Sequence, residues 1–590
     1  MQAVVPDAIR ITRLGNVTPK IVSMLKTRMP KQIAFIAYET PYAPCGGVAA
    51  VMAHLPANLA TTSGLPTIVI TPFHSNIART NSLEHQMEWL GDCEVPYGAS
   101  SIIVDILRHH RDVSYIFLHA KGEPRGRQPF FSGIQHPYDV ETPQNDNGST
   151  LQRDALFFGA AVSRALPVID QSASWILLLQ DWEAATVALA LTGAQTDLSY
   201  SLLLTLHNSY DKGANDEDLR LVGINPEACP GDTVLKRALP LVQSPVFTVS
   251  DQFALDFTKE ILQAKIMAPH LASQLSSRLV GINNGPFTEL VVDSDILANA
   301  RRGDLKPLRE WKTQFREKAL IILDGFTPTK DKPIWGNLRL FNSDDAPWFI
   351  MAGRDDSRQK GYDVACSAIS RFLDSGGEAR FMFFPIPGDE GLEGLSFLRR
   401  LSQRHSESVL VLPFIFQEGF FAFLQGATFG MMPSLYEPFG MANEFYLKGT
   451  VGIGRATGGI LQQIVPSKLG KSYNKAVRVR AKRWHAASAN PTGFLYREQD
   501  GIPSALEDWR SINAARYDSS GASPDRVQQR EQLLLFDSMV DELRRCIADA
   551  TQLWREQPEL YCRMLIDGIA FIENNFSWEK AARLYLNYIG

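Results

Sequence analysis

Three segments of this 590-residue chain carry residue types that could bind a phosphate or a sugar. The first is the pair Gly46-Gly47, which stands directly before an amphipathic helical pattern. Glycine lets the backbone approach a phosphate closely, and the free N–H groups at a helix start attract negative charge. A Gly-Gly pair also suits an ordinary tight turn, so both interpretations stay open for this segment alone.

The second segment, residues 353–363, reads GRDDSRQKGYD and follows a strand pattern. Arg354, Arg358 and Lys360 would then project into a cleft, where fixed cations could neutralise a diphosphate as it leaves. An ordinary solvated, charged loop would have the same composition, so this segment alone does not decide between the two interpretations.

The third segment, residues 433–459, contains the end of one strand pattern and the whole of the next. Glu437 could hydrogen-bond the hydroxyls of a sugar or a ribose, and the amides of Phe439-Gly440-Met441 lie where a helix begins. Thr457-Gly458-Gly459 adds a hydroxyl and further exposed amides. The alternative interpretation is a capped helix followed by a glycine turn.

Short apolar runs alternate with helical patterns along most of the chain, which indicates parallel sheets covered by helices on both faces. The first series of predicted strands comprises residues 33–37, 67–73, 115–120, 175–180, 201–208, 246–251 and 278–285; the second comprises residues 348–353, 380–385, 408–414, 430–434 and 450–454. The predicted fold class is therefore α/β, with two doubly wound, Rossmann-like domains. Ligands of such sheets bind beyond the carboxyl ends of the strands, so we expect a ligand in the cleft between the domains.

Changes in composition suggest where the predicted domains begin and end. We expect an N-terminal extension over residues 1–30, a first domain over 31–290, a crossover over 291–345 and a second domain over 346–572. Within the second domain, the sequence of residues 515–530 is typical of an exposed loop.

The composition excludes several classes of protein. Lys and Arg number 59 against 64 for Asp and Glu, a net charge of −5, which argues against a dedicated nucleic-acid binder. The six cysteines include no CxxC pair, and this low density is typical of a reducing compartment. No apolar run reaches the roughly 18–20 residues of a membrane helix, and the first thirty residues lack the apolar centre of a signal peptide. We expect a cytoplasmic protein without a membrane span or a nucleic-acid partner.

The three segments, taken in order with further stretches, resemble the glycogen and starch synthase family, which are retaining glycosyltransferases of the GT-B fold. The resemblance is collinear and spans nearly the whole chain after residue 30. The matching stretches are ETPYAPCGGVAAVMAHLPANLA (39–60), LQRDALFFGAAV (151–162), LLLQDWEAATVALAL (177–191), TLHNSYDKG (205–213), FTVSDQFA (247–254), GINNG (281–285), RDDSRQKGYD (354–363), PSLYEPFGMANEF (433–445), RATGG (455–459), PTGFLYRE (491–498) and FSWEKAARLYL (576–586).

The resemblance implies a GT-B enzyme with a deep cleft that transfers a sugar, with retention, from ADP-glucose or UDP-glucose to a hydroxyl of a glucan or another acceptor. It implies no metal and no cofactor, and a final helix over about 573–590 that packs back on the first domain. Arg354 and Lys360 would hold the donor diphosphate, Glu437 would lie near the donor sugar or ribose, and Asp181 is a fourth catalytic candidate. The candidates for donor binding are Gly46, Gly47, Gln180, His207, Asn284, Arg358, Phe439, Gly440, Met441, Thr457, Gly458 and Gly459.

Three positions depart from the family pattern. The first loop usually reads Lys-Thr-Gly-Gly, but here Pro44 and Cys45 precede the glycines, so one donor-side cation is missing. Where the family has His-Asp-Trp, this chain has Gln180-Asp181-Trp182, and a glutamine can hydrogen-bond a hydroxyl but cannot titrate. The spacing from Arg354 to Lys360 is one residue longer than usual, which makes Arg358 a rival of Arg354. These changes would fit another sugar, another acceptor or weak catalysis.

The sequence alone therefore leaves two alternatives to an active glycosyltransferase open. One is a catalytically weakened or retired GT-B protein that serves as a sugar-binding or scaffolding module, and the other is a different sugar-nucleotide enzyme on the same fold. Residues 468–483 (KLGKSYNKAVRVRAKR) follow the TGG loop, where the family is usually shorter, and carry seven cations, among them Arg478, Arg480 and Arg483. This basic segment is either a solvated insertion or a site for an anionic effector or partner.

Overall fold

A computed structural model places the strands in two sheets. It describes residues 31–80, 83–122, 129–133, 136–139, 150–192, 198–337, 345–388, 390–514 and 526–589. The predicted extension 1–30 lies outside these residues, as do parts of the predicted crossover and of the predicted loop at 515–530.

In the described residues, the first sheet has nine strands in the order β3-β4-β5-β2-β1-β6-β7-β8-β9. They are β1 (Lys31–Ile36), β2 (Thr67–Pro72), β3 (Glu88–Tyr97), β4 (Ser100–His110), β5 (Ser114–Lys121), β6 (Ser174–Gln180), β7 (Ser199–Leu206), β8 (Val246–Thr248) and β9 (Leu279–Gly281). β3 pairs with β4, and β4 with β5, in antiparallel fashion, while the other pairs are parallel. The sequence reasoning missed β3 and β4, because polar residues interrupt their apolar pattern.

The second sheet is parallel throughout, with six strands among the described residues in the order β12-β11-β10-β13-β14-β15. They are β10 (Trp348–Arg354), β11 (Arg380–Ile386), β12 (Val409–Val411), β13 (Phe429–Met432), β14 (Val451–Arg455) and β15 (Phe494–Tyr496). Its interior strands are continuously apolar because helices cover both faces. The predicted α/β class is confirmed, whereas the predicted domain limits stay predictions.

The helices that precede the second sheet in the chain are α1 (Gly47–Ser63), α2 (Ser75–Thr80), α3 (Thr150–Asp170), α4 (Asp181–Thr192), α5 (Asp216–Leu221), α6 (Val234–Ala238), α7 (Asp251–Lys259), α8 (Pro269–Leu275), α9 (Ser294–Arg301) and α10 (Lys306–Asp324). The helices that follow its first strand are α11 (Tyr362–Asp374), α12 (Gly391–Gly394), α13 (Ser396–Arg404), α14 (Phe420–Gly426), α15 (Ala442–Leu447), α16 (Gly458–Gln463), α17 (Lys475–Ala481), α18 (Ala505–Asn513), α19 (Arg526–Glu531), α20 (Leu534–Glu556), α21 (Pro558–Asn575) and α22 (Trp578–Ile589).

The chain returns to the first sheet at its end. The ring of Trp578 in α22 stacks on His54 of α1 with centroids 5.4 Å apart, and its indole N–H donates to the carbonyl of Pro286 over 2.7 Å. Further along α22, the Tyr585 hydroxyl lies 3.1 Å from Thr205 Oγ1 of β7. The last helix therefore packs on the half of the molecule that contains the first sheet.

Helix α19 corrects one prediction. It begins at Arg526, and both Arg526 and Arg530 are buried, so the prediction of an exposed loop is wrong for residues 526–530. The two arginines of this segment pair with buried aspartates, while Gln528 and Gln529 between them are exposed. None of the described helices is both long and apolar enough to span a membrane.

Candidate active-site cleft

The loops at the carboxyl ends of the two sheets face each other, and side chains from both sides meet between them. Arg354 Nη1, at the end of β10, lies 3.7 Å from the thiol of Cys45, which follows β1. The Tyr210 hydroxyl, after β7, lies 3.3 Å from Asp356 Oδ2 and 2.9 Å from the Tyr436 hydroxyl. The structure therefore places the first and second predicted segments on opposite walls of one cleft.

The loops of the first sheet form the first wall of the cleft and those of the second sheet the second wall, where Lys360 and Glu437 form an ion pair. Lys360 Nζ lies 2.8 Å from Glu437 Oε2, which also accepts a hydrogen bond from the Ser434 hydroxyl over 2.9 Å. The Lys360 side chain is 25% exposed and that of Glu437 is 9% exposed, so the ammonium group is the more accessible partner. The pair gives a cation and a carboxylate fixed positions at the cleft.

Two glycines bring the loops of this wall together. Gly361, with φ of 68°, directly follows Lys360, and a Cβ there would lie 2.3 Å from the carbonyl oxygen of Pro433. Gly458, with φ of 44°, packs on the carbonyl of Glu437, where a Cβ would lie 1.6 Å from the oxygen. Only glycine tolerates both the conformation and the contact, so these residues fix the segments around Lys360 and Glu437 against one another.

The two rival arginines occupy different places. Arg354 is exposed and reaches across to the first glycine loop, where its Nη2 lies 3.9 Å from the position of a Cβ on Gly46. Arg358 is half-buried, and its backbone N–H donates to Asp356 Oδ1 over 3.0 Å. Burial raises the pKa of the Tyr436 hydroxyl, and the nearby charge of Arg358 opposes that shift. Both cations belong to the loop that carries Lys360, and their roles stay predictions.

The first glycine loop is held by an internal carboxylate. Glu39 Oε1 accepts hydrogen bonds from the backbone N–H groups of Cys45 (3.0 Å), Gly46 and Ala49 (3.2 Å), and Oε2 accepts one from the Tyr138 hydroxyl (3.2 Å). Glu39 therefore already occupies amides that were expected to face a donor phosphate. Burial raises the pKa of the neighbouring Cys45 thiol to about 11, so the thiol is neutral at pH 7.

The TGG loop is held in the same way, but from the other half of the molecule. Asp256 of α7 accepts hydrogen bonds from the Thr457 hydroxyl (3.1 Å) and the Gly458 amide (2.7 Å) through Oδ2. The Gly459 amide donates to the Glu437 carbonyl over 3.2 Å, and the Thr457 amide donates to the Arg455 carbonyl over 2.8 Å. The amides of Thr457-Gly458-Gly459 thus bind protein oxygens in this structure.

The residues after Glu437 form a tight turn that leads into α15. Gly440 has φ of 94°, and a Cβ there would lie 3.0 Å from Cγ of Glu437. The buried Phe439 has its carbonyl occupied by the Gln463 side chain, which donates over 2.7 Å, and the Met441 carbonyl accepts from the Phe445 amide over 3.1 Å. The turn therefore lies directly beside Glu437, while the donor-binding roles of its three residues stay predictions.

A chain of buried ion pairs links these loops across the two halves. Arg497 Nη2 lies 2.7 Å from Glu260 Oε2, which follows α7, and Arg497 Nε lies 3.0 Å from Glu498. Arg455 donates to Glu498 Oε2 over 2.8 Å and also to the carbonyl of Leu435, two residues before Glu437. Burial alone would raise the pKa of Glu498, but Arg455 and Arg497 hold it down to about 2. These pairs hold the Glu437 segment and the TGG loop in place.

The candidates on the first wall contact one another. Asp181 has a left-handed backbone (φ of 62°) where β6 meets α4, and its carboxylate accepts from the His207 amide (2.6 Å) and the Asn208 side chain (3.2 Å). Gln180 Oε1 lies 2.9 Å from His207 Nε2, and its Nε2 donates to the Leu178 carbonyl over 3.0 Å. Burial lowers the pKa of His207 to about 4, so this ring is neutral at pH 7. The catalytic role of Asp181 and the donor-binding role of Gln180 stay predictions.

Asn284, the remaining candidate on this wall, lies where the chain leaves β9 for the second half. Its side chain is buried, and its backbone N–H donates to the Val249 carbonyl over 3.3 Å. Two residues later the chain reaches Pro286, whose carbonyl accepts from Trp578. The position of Asn284 is therefore fixed close to the point where the two halves connect.

Sequence reasoning missed several polar residues of the cleft, namely Glu39, Glu183, Tyr210, Asp256 and Asp356. Glu39 and Tyr210 lie inside quoted motifs, but nothing in the motifs distinguishes a residue that caps a loop from one that faces a ligand. Asp256 is six residues beyond Ser250, which caps α7 by accepting from the Phe253 amide over 3.2 Å. From that cap, the sequence could predict which face of the helix carries Asp256. Only the packing of α7 shows that this face meets the TGG loop.

Comparison with known proteins supports the resemblance. A family model described as the starch synthase catalytic domain matches residues 32–265. A glycogen synthase of Thermosipho africanus is 24% identical over 469 residues, which cover 74% of this chain and 85% of the relative. A glycogen synthase of Kosmotoga olearia is 23% identical over 485 residues, which cover 76% and 90% of the two chains.

A solved structure shares the fold. The catalytic domain of starch synthase IV from Arabidopsis thaliana superposes with a TM-score of 0.59 at 19% identity, over 91% of this chain and all of that domain. The predicted GT-B fold and the predicted resemblance to the glycogen and starch synthase family are therefore confirmed. In sequence and in fold, the chain is thus similar to glycosyltransferases of that family.

The buried carboxylates of the first wall predict a dependence of stability on pH. Burial raises the pKa of Asp181 to about 7 and that of Glu183, beside it, well above its ordinary value. The folded protein therefore holds protons that the unfolded chain has released, and the free energy of unfolding falls as the pH rises from about 4 to 7 and beyond. Glu183→Gln removes an acidic group that the folded protein must either keep protonated or bury as a charge, so we expect its melting temperature to exceed that of the wild type by a few degrees at about pH 8.

This difference should shrink towards about pH 5, where the wild-type carboxyl is protonated. Glu217→Gln, on the exposed first turn of α5, is the matched control and should leave the melting temperature unchanged at both pH values. A Glu183→Gln protein that melts below the wild type at every pH would contradict the assignment of a destabilising buried charge. Thermal unfolding followed by circular dichroism over this pH range makes the measurement.

Proposed function

We propose that this protein is a retaining glycosyltransferase that moves glucose from ADP-glucose or UDP-glucose to a hydroxyl of a glucan or another acceptor. The observation that carries the proposal is the Lys360–Glu437 pair, held at 2.8 Å on a wall that also bears Arg354 and Arg358. Cations at fixed positions beside a carboxylate suit a substrate that has both a diphosphate and sugar hydroxyls. Retained configuration, glucose and glucan are carried over from the family resemblance.

In the proposed reaction, the bond between the sugar C1 and the diphosphate oxygen breaks while the acceptor oxygen bonds to C1 on the same face. The acceptor hydroxyl gives its proton to the departing phosphate oxygen, so no second protein carboxylate is needed, in contrast to a glycosidase. Lys360 and its neighbouring arginines stabilise the negative charge that develops on the diphosphate. Glu437 accepts hydrogen bonds from the hydroxyls of the sugar or ribose and keeps the ammonium group of Lys360 in position.

The two internal carboxylates bear on how the donor would bind. Glu39 and Asp256 accept from the amides of the two glycine loops, so the diphosphate would depend on the side-chain cations of residues 354–360 unless those carboxylates move. The contact between the Arg354 guanidinium and the Cys45 thiol brings one such cation to the place where the family lysine is missing. We propose that Arg354 partly replaces that lysine.

The proposal includes no metal and no cofactor. It also includes a cytoplasmic location, which is supported by six cysteines that are all free thiols, four of them buried.

The structural relative from Arabidopsis thaliana carries ADP and acarbose. ADP-glucose and a malto-oligosaccharide are therefore the first pair of substrates to test.

The deciding experiment is a panel of sugar nucleotides. ADP-glucose, UDP-glucose, GDP-mannose and UDP-N-acetylglucosamine are tested with and without a malto-oligosaccharide, by thermal shift and by product analysis, in buffer with and without EDTA. We expect glucose transfer with retained configuration and equal rates in both buffers. Glucan binding without any donor binding would overturn the proposal in favour of a retired GT-B module, and loss of transfer in EDTA would overturn its metal-free form.

Two substitutions test the residues. Lys360→Ala removes the fixed cation next to Glu437, so we expect turnover to fall by roughly 10²-fold or more with the fold intact. Glu437→Gln removes the carboxylate charge and should also impair transfer. Lys306→Ala, at the exposed start of α10, is the control and should transfer at the wild-type rate. Turnover of Lys360→Ala within a few-fold of the wild type would refute the assignment.

We further propose that part of the basic segment 468–483 binds an anionic effector or partner. Its exposed cations include Lys471, Lys475, Arg478, Lys482 and Arg483. Arg480 does not belong to this set, because it pairs with Asp500 at 3.1 Å and with Glu260 at 3.7 Å. The structure thereby corrects the inclusion of Arg480 among the cations available to a partner.

The effector proposal predicts that Arg478→Gln/Arg483→Gln weakens the effect of added inorganic phosphate or pyrophosphate on activity at low salt, where exposed charges are least screened. The activity of each protein is expressed relative to its own rate without the added anion. Identical responses of the variant and the wild type over the whole titration would leave 468–483 as a solvated insertion.

A further inference from the structure

Two buried arginines lie against the loop that carries the candidate diphosphate-binding cations. Arg526 and Arg530 both belong to α19, and their side chains are only 7% and 6% exposed. Arginine is seldom buried without several partners, because taking its charge out of water is costly. Each of these two side chains has partners within or next to residues 354–363.

Arg530 joins three segments through one guanidinium group. Its Nη1 donates to the backbone carbonyl of Ser357 over 2.8 Å and also pairs with Asp363 in the first turn of α11. Its Nη2 donates to the carbonyl of Ile512, near the end of α18, over 2.7 Å. Ser357 lies midway between Arg354 and Lys360, so Arg530 fixes the backbone of the loop between its cations.

Arg526 holds the beginning of the same loop. Its Nη2 lies 2.7 Å from Asp355 Oδ1, and its guanidinium stacks 4.6 Å above the ring of Phe397. The Asp355 amide in turn donates to the Ile386 carbonyl at the end of β11 over 2.8 Å. The next acidic residue, Asp356, accepts hydrogen bonds from the Tyr210 hydroxyl and from the backbone N–H of Arg358. Each acidic side chain of the loop thus binds protein groups.

These contacts explain how the loop accommodates its length. Its spacing from Arg354 to Lys360 exceeds the family spacing by one residue, and a longer loop has more conformations to lose when a ligand binds. The planar guanidinium group, with its five donors in fixed directions, can hold backbone carbonyls and carboxylates together in a way that a lysine cannot. The aspartates Asp355 and Asp363 balance the two arginine charges, so the contribution of α19 is geometric.

We propose that Arg526 and Arg530 are positioning residues, which hold residues 354–360 so that Arg354, Arg358 and Lys360 face the donor diphosphate before it binds. This inference rests on the proposed function for the identity of the ligand, and on the contacts of α19 for the order of the loop. Neither arginine touches the donor in this proposal. They act through the backbone and the acidic side chains of the loop.

The test compares Arg530→Lys and Arg526→Lys with the control Arg371→Lys. Arg371 also forms a two-carboxylate pair on α11, with Asp537 at 2.7 Å and Asp541 at 3.1 Å, but its partners lie in α20 and not in the loop. Three quantities are measured for each protein: the melting temperature, the hydrogen exchange of a peptide covering 354–361, and the kinetic constants for donor and acceptor.

We expect faster exchange in the loop of Arg530→Lys and Arg526→Lys, and a donor KM raised about tenfold, which corresponds to about 1.4 kcal/mol. The KM of the acceptor should not change, and a saturating nucleoside diphosphate should restore slow exchange to the loop. Arg371→Lys, whose side chain is 34% exposed, should lower the melting temperature less than the other two variants and should leave both loop exchange and the donor KM unchanged. If Arg530→Lys and Arg526→Lys show the same loop exchange and the same donor KM as the Arg371→Lys control, the proposal is overturned, because α19 would then be a purely structural element.

The outcome can be separated from that of the proposed function. If the wild type binds no sugar nucleotide, the proposed function fails, but loop exchange without any ligand still decides whether the two arginines order residues 354–361. If the wild type transfers glucose and Arg530→Lys keeps both the wild-type KM and wild-type exchange, the positioning role fails while the proposed function stands. Arg526→Lys, which leaves the Ser357 contact intact, provides the second variant if Arg530→Lys does not fold.

Discussion

Parallel pairing of strands places all their carboxyl ends along one edge of a sheet, and every candidate group in this protein depends on that constraint. In the first sheet, β1, β6 and β7 deliver Cys45, Gln180 and His207 to the same edge. In the second, β10 and β13 deliver Arg354 and Glu437. Because each sheet presents one such edge, a cleft between two sheets collects polar groups that are far apart in the chain.

The loops at these edges are held by buried charged side chains rather than by apolar packing alone. Glu39 holds the first glycine loop, Asp256 holds the TGG loop, and Arg455 holds the segment before Glu437. A loop that must present its amides and cations to a ligand cannot also bury an apolar face. A buried carboxylate or guanidinium satisfies several backbone groups at once, which orders such a loop without filling the cleft.

This mode of support affects both energetics and function. Burial raises the pKa of Asp256 to about 6, with a further contribution from the neighbouring Glu260, so the contact with the TGG loop depends on a carboxylate that is not strongly acidic. Asp256 and Glu260 reach the second half from α7 of the first, and the Tyr210 hydroxyl reaches it from the loop after β7. The geometry of the wall that carries Lys360 and Glu437 therefore depends on how the two halves are placed relative to each other. Movements that open a cleft of this kind would change the same contacts.

The amino-acid sequence is sufficient to predict the α/β class, the two series of strands, the order of the motifs and the types of residue at the strand ends. Those properties follow from local patterns: continuous apolar runs for buried strands, and glycines and charges where the strands stop. The fold alone shows that Glu39 and Asp256 occupy amides of the two glycine loops, that Arg480 pairs with a carboxylate of the other half, and that Arg526 and Arg530 are buried against residues 354–363. Most of those facts depend on contacts between residues that are far apart in the chain, and no local pattern records which partner a buried charge will meet.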